Sequence, residues 1–194
     1  MQTRLFLSFI VIPALTLLSF SSVRAEEYST HKLFSLKRSS NKNEVVYEVR
    51  LDKDGNFPDD AITAHWVLWE EGGKRDTLNF PEKEFAYGVK VESQNEKAIQ
   101  AHLVSTPKCK IDVMRKKTKS GWIPIATFSI KGETIRIDQF FVVVSGSGIF
   151  SDVQEIQVTG TDVRNGKAKT LSFIPKQNGN HLDGANTGTS GSNE

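Results

Sequence analysis

Val45-Val46-Tyr47-Glu48-Val49-Arg50-Leu51 decides the fold. Val45, Tyr47, Val49 and Leu51 recur at every second position, with Val46, Glu48 and Arg50 between them. Side chains two apart share one face of an extended strand, so the stretch predicts a strand with one buried side. The same period returns at residues 62–69, 84–92, 99–103, 111–113, 122–130, 135–143, 156–158 and 171–173. In two of these the alternation makes a specific claim. It sets Phe85, Tyr87, Val89 and Val91 on one side of a strand, and Ile135, Ile137, Phe141 and Val143 on one side of another. No helix-period segment of convincing length follows residue 25.

The punctuation is hairpin chemistry. Asn165-Gly166 suits a type I′ turn, since both residue types tolerate positive φ. Lys131-Gly132 separates two runs by two residues, and Lys119-Ser120-Gly121 is another short connection. Residues 70–83, with Gly72-Gly73 and Pro81, read as the longest loop. The expectation is an all-β fold: an antiparallel meander of eight to ten strands over residues 26–175. Such a meander closes into a barrel or packs as a sandwich, because both limit exposed strand edges.

The flanks differ in character. Arg4 precedes a mainly apolar run over residues 5–20, and Val23 and Ala25 are small residues where a signal peptidase reads. Residues 1–25 therefore read as a signal peptide. The chain is expected to be exported, to periplasm or medium, with no span of the membrane after cleavage. Residues 176–194 carry one Leu and no aromatic residue, and predict a disordered polar tail. The whole chain of 194 residues has 25 Lys and Arg against 23 Asp and Glu. Two of those cations lie before residue 26, so the remainder is balanced, which argues against a nucleic-acid binder. The single Cys109 alternates with Ile111 and Val113, and is expected to be a buried, inert thiol.

Candidate chemistry is sparse. Arg38, Asn41 and Asn43 precede the deciding strand, and Tyr47, Trp66 and Tyr87 are large side chains with a polar atom. Together these six are the candidate ligand-binding set, a polar rim in which Arg38 would grip a carboxylate or phosphate. The alternative is a turn in which Asn and Ser satisfy their own backbone. Tyr47 and Tyr87 otherwise read as core residues whose hydroxyls find one partner. His31, His65, His102 and His181 have no metal-ligand spacing, so no metal, catalytic residue or cofactor is assigned. Asp52, Asp54 and Asn56 alternate like a calcium loop, but Gly55 falls at the fourth position rather than the sixth. Glu70 or Glu71 would serve a glycan-acting enzyme, the least favoured reading. Lys108, Lys110, Arg115, Lys116, Lys117 and Lys119 form a basic hairpin, either a guarded edge or a surface for anionic envelope material.

Arg38-Ser39-Ser40-Asn41-Lys42-Asn43-Glu44-Val45-Val46-Tyr47, followed by Trp66, Glu70-Glu71-Gly72 and Ala86-Tyr87-Gly88, resembles a bacterial family of exported proteins, a domain of unknown function. The resemblance covers about residues 33–175 and implies one exported, mostly β domain. It carries no activity, substrate or catalytic residue. The expected role is thus a non-enzymatic domain binding a small amphipathic ligand or an envelope partner. The alternative is a structural or interaction protein without a pocket. Neither ligand nor oligomeric state is legible.

Overall fold

The computed structural model describes residues 27–146 and 152–175. Both the signal-peptide stretch and the polar tail lie outside the described residues. Eleven strands form: β1 (Ser29–Arg38), β2 (Glu44–Leu51), β3 (Ile62–Leu68), β4 (Lys74–Thr77), β5 (Val89–Asn95), β6 (Ala98–Leu103), β7 (Lys110–Thr118), β8 (Gly121–Ile130), β9 (Glu133–Ser145), β10 (Asp152–Asp162) and β11 (Ala168–Phe173). They make one sheet, curled into a half-barrel, in the order β4-β3-β2-β1-β9-β8-β7-β6-β5, with β10 and β11 attached to β9. The fold is all-β, as the period-two pattern predicts.

Strand β9 is the branch point. Its first residues pair with β8 (Arg136 opposite Thr127), and its later ones pair in parallel with β1 (Phe140 opposite Leu36). Along its other edge it pairs with β10. The changeover falls at a β-bulge, where Ile137 faces Gly160 and Gln139 faces Thr159, leaving Asp138 over. One extra residue flips every later side chain to the opposite face. Ile135 and Ile137 are buried before the bulge, and Phe140 and Val142 after it. The sequence expectation that Phe141 and Val143 join Ile135 and Ile137 is therefore corrected. Gly160 is obligatory here, since a Cβ would sit 1.9 Å from the Arg136 carbonyl oxygen.

Two turns also depart from expectation. Lys131 and Gly132 both have positive φ, so the primed two-residue turn lies there. At β10–β11 only Gly166 is left-handed, and Gly166 N–H donates to the Asp162 carbonyl across a longer loop. Nor is residues 70–83 one loop: β4 lies within it, and a short helical strap follows.

The core is one cluster fed by both wings of the sheet. Its spine is a chain of rings. Phe173 stacks on Phe128 at 5.8 Å, Phe128 meets Phe140 at 6.0 Å, Phe140 meets Phe34 at 5.3 Å, and Phe34 stacks on Tyr47 at 4.6 Å. Each such pair adds roughly 0.5–1.5 kcal/mol beyond burial. The chain links β11, β8, β9, β1 and β2 through the middle of the half-barrel. No helix among the described residues is long and apolar enough to cross a membrane.

Candidate functional site

Beyond β4, Asn79-Phe80-Pro81-Glu82 starts a helical turn. The Asn79 side chain accepts from Glu82 N–H at 3.0 Å, and the Glu82 carboxylate accepts from Asn79 N–H at 2.9 Å. This is a reciprocal capping box, with Pro tolerated at the second position because its missing N–H is no loss there. The helix (Phe80–Glu82) widens into one π-turn (Lys83–Tyr87). Residues 84–88 are therefore helical and extended linker rather than strand, which corrects the alternation expected for Phe85 and Tyr87. Phe85 is exposed while Ala86 and Tyr87 are buried. Gly88 ends the turn, and a Cβ there would lie 1.9 Å from the Lys83 carbonyl oxygen.

Tyr87 is the anchor of this strap. The Tyr47 hydroxyl donates to the Tyr87 carbonyl at 2.8 Å. Arg38 Nη1 donates to the Tyr87 hydroxyl at 2.9 Å. Trp66 packs edge-on against the Tyr87 ring at 4.9 Å. Arg38 reaches this place because β1 presents Phe34, Leu36 and Arg38 to the same inner face, next to Val142 of β9. Its residue is only 8% exposed, so the guanidinium sits against rings rather than water. Burial pushes the Tyr47 phenol well above its usual pKa, with Tyr87 adding to the effect. It stays protonated and can only donate here.

Four of the six candidate residues thus meet: Arg38, Tyr47, Trp66 and Tyr87. Asn41 and Asn43 stay in the β1–β2 turn, where Asn41 N–H lies 3.5 Å from the Arg38 carbonyl. Asn41 is exposed, whereas Asn43 Oδ1 is buried with no hydrogen-bond partner. Ser39 ties the turn to β9, donating its N–H to the Val142 carbonyl and accepting Val144 N–H on its hydroxyl, both at 3.0 Å. The strap itself was not read from the sequence, although Asn79-Phe80-Pro81-Glu82 carries a capping signature that would have flagged it.

The opposite end of the half-barrel is closed by the basic hairpin. Trp122 carries the Arg115 guanidinium at 4.5 Å and the Lys117 ammonium at 5.3 Å over its ring. Arg115 also donates to the Asp54 carbonyl and to Asn56 Oδ1, at 3.0 and 2.6 Å. Gly55 lies under the indole with φ +79°, where a Cβ would fall 2.2 Å from the ring. Asp52 is committed to its own loop, accepting from the Asp54 and Asn56 amides at 2.9 and 2.7 Å. Burial opposes its ionisation, but these Asn56 and Asp54 bonds outweigh it and hold the carboxyl below its usual pKa.

Several other titratable groups form pairs away from the strap. His65 Nδ1 lies 3.2 Å from Arg75 Nη2 and 3.7 Å from Glu48. Burial, then the Arg75 charge, lowers its pKa below the usual imidazole value. His102 meets Glu92 at 3.1 Å, and Lys110 bonds the same carboxylate at 2.8 Å, which lowers the Glu92 pKa. Glu70 is exposed, and Glu71 pairs with Lys74 at 3.2 Å. Burial pushes the Cys109 thiol up to about 12, so it is unreactive at neutral pH. Among the described residues no three His, Cys, Asp or Glu are grouped to hold a metal ion.

A family model described as Domain of unknown function (DUF4833) matches residues 34–170. No curated protein and no solved structure matches the chain.

Proposed function

The chain belongs to this family of domains of unknown function, and from that premise we propose that it is an exported, non-enzymatic binding domain that offers the strap to a protein partner. One observation carries the reading. Phe80 and Phe85 are 71% and 61% exposed, five residues apart along the helical strap, while the two residues after Phe85 are locked in the core. Exposed aromatic side chains on a rigid mount are what a protein interface uses as anchors. The tyrosines and Arg38 serve as the mount, because their polar atoms are directed at one another, and Trp66 packs edge-on against the Tyr87 ring.

The test is a photo-reactive side chain placed at exposed Lys83, with a second placed at Lys53 on the far end. In the producing cell, position 83 should give a discrete cross-linked product and position 53 should not. The double variant Phe80→Ser/Phe85→Ser should lose the product while unfolding at the same temperature. A product that survives the double variant, or none at position 83, ends the proposal.

A second reading, a small amphipathic ligand at this same end, is favoured by the buried, unpartnered Asn43 Oδ1 beside the Arg38 turn. Native mass spectrometry of protein from its own source would then show a retained mass that Asn43→Ala releases.

A further inference from the structure

An acid-free stretch of the chain covers most of the β7–β8 hairpin. From Val113 to Gly132 there is no Asp or Glu, while Arg115, Lys116, Lys117, Lys119 and Lys131 all fall within it. In a chain whose charges balance as a whole from residue 26 onward, this is a segregated positive segment.

The pairing register shows what accompanies the charge. Lys116 lies opposite Ile123, and Met114 lies opposite Ile125. These four share the outward face of the hairpin, because the inward face is that of Val113, Arg115, Trp122 and Ala126. Met114 is 56% exposed and Ile123 37% exposed. Lys116 is thus set among Met114, Ile123 and Ile125 on the outward surface, with Lys119 at the tip, while Lys117 lies opposite Trp122 and over its ring. Asp112, the nearest acid on the hairpin, is turned to Gln100 at 3.0 Å, away from the tip. Asp52 and Asp54 approach from the inward side, where the Asp52 carboxylate is occupied by its own loop.

We infer that the outward face and tip of the β7–β8 hairpin dock on an anionic phospholipid bilayer. Each Lys or Arg near such a surface adds attraction, and the apolar side chains between them enter the headgroup layer. An anionic polysaccharide or a nucleic acid would engage the lysines but would have no use for exposed Met114 and Ile123. The hairpin is already rigid before contact, since Trp122, Arg115 and Gly55 clamp its base to the β2–β3 loop. Little ordering is then required on docking.

The test is co-sedimentation of the full chain with vesicles of phosphatidylglycerol in phosphatidylcholine, against phosphatidylcholine alone. The protein should bind the first and not the second, and added salt should release it. Lys116→Gln/Lys119→Gln should weaken binding roughly thirtyfold, following from two surface charges. Met114→Gln/Ile123→Gln, which leaves the charge unchanged, should weaken it several-fold, roughly as expected for withdrawing two apolar side chains. Both variants should keep the unfolding temperature of the parent. Equal binding to both vesicles, or indifference to the lysine changes, overturns the inference. So does indifference to the apolar changes alone, which would mark a surface that reads charge and not lipid. Phe80→Ser/Phe85→Ser should bind vesicles like the parent, so failure of the strap reading leaves this result standing.

Discussion

At one end of the half-barrel Tyr87 is buried beneath Tyr47, Arg38 and Trp66, held by two directed hydrogen bonds and a ring edge. At the other end Trp122 is half-buried and carries two cations that water still reaches. Both ends seal the same curled sheet. They differ in what happens when a piece is removed. A buried hydrogen-bonding group deprived of its partner keeps its full desolvation penalty. A hydrated cation over an indole loses only the modest attraction and returns to solvent. The strap end should therefore fail abruptly and the hairpin end gradually.

The sharpest way to break that contrast is Tyr87→Ala. It removes the anchor ring and the acceptor of Arg38, and should cost about 3–5 kcal/mol in urea unfolding, as buried aromatic truncations do. Next comes Tyr47→Phe, which leaves the Tyr87 carbonyl without its donor at a cost of about 1–3 kcal/mol. At the hairpin end Arg115→Met should cost only about 1–2 kcal/mol by the same measurement, because its stem still covers Trp122 and its bonds to the Asp54 carbonyl and Asn56 are partly open to water. If Arg115→Met proved as damaging as Tyr87→Ala, the two ends would be equivalent after all. The smallest effect belongs to His65, which joins the edge strand β4 to β3. Its folded pKa lies below the ordinary 6.5, so the unfolded chain takes the proton first as pH falls. Stability from this site is present above about pH 6.5 and is lost on acidification below it. Comparing urea midpoints at about pH 7.5 and about pH 5.5 for the parent and His65→Gln checks the sign. A larger acid loss in the variant than in the parent would refute it.

The strands were legible because burial on one face imposes a period of two, and Val45, Tyr47, Val49 and Leu51 are all buried, though Val46 on the other face is covered as well. The bulge at Asp138 was not legible. Phe140 and Phe141 are adjacent and identical in type, so local sequence does not say which faces inward. The choice is made by β9 leaving β8 for β1, a partner far away in the chain. Similarly, Phe85, Tyr87, Val89 and Val91 alternate like a strand, yet the Asn79–Glu82 capping box starts a helical turn that runs through the first two. Of the candidate residues, Arg38, Tyr47, Trp66 and Tyr87 were singled out because each is a large side chain with a polar atom in or beside an apolar run. Their meeting at one point depends on the strap, which the alternation had hidden.

The parallel seam between β1 and β9 joins residues 104 positions apart, as in the Gln139 side chain that donates to Ser35. A ribosome must emit most of the polypeptide before the first strand can find its second neighbour. Long-range closure of this kind slows folding into the range of milliseconds to seconds, roughly, for β topologies. The β1–β9 seam cannot close until β9, beginning at Glu133, is present. A molecule assembled in this order remains threadable late into its synthesis, and its architecture is settled by its final hundred residues rather than its first.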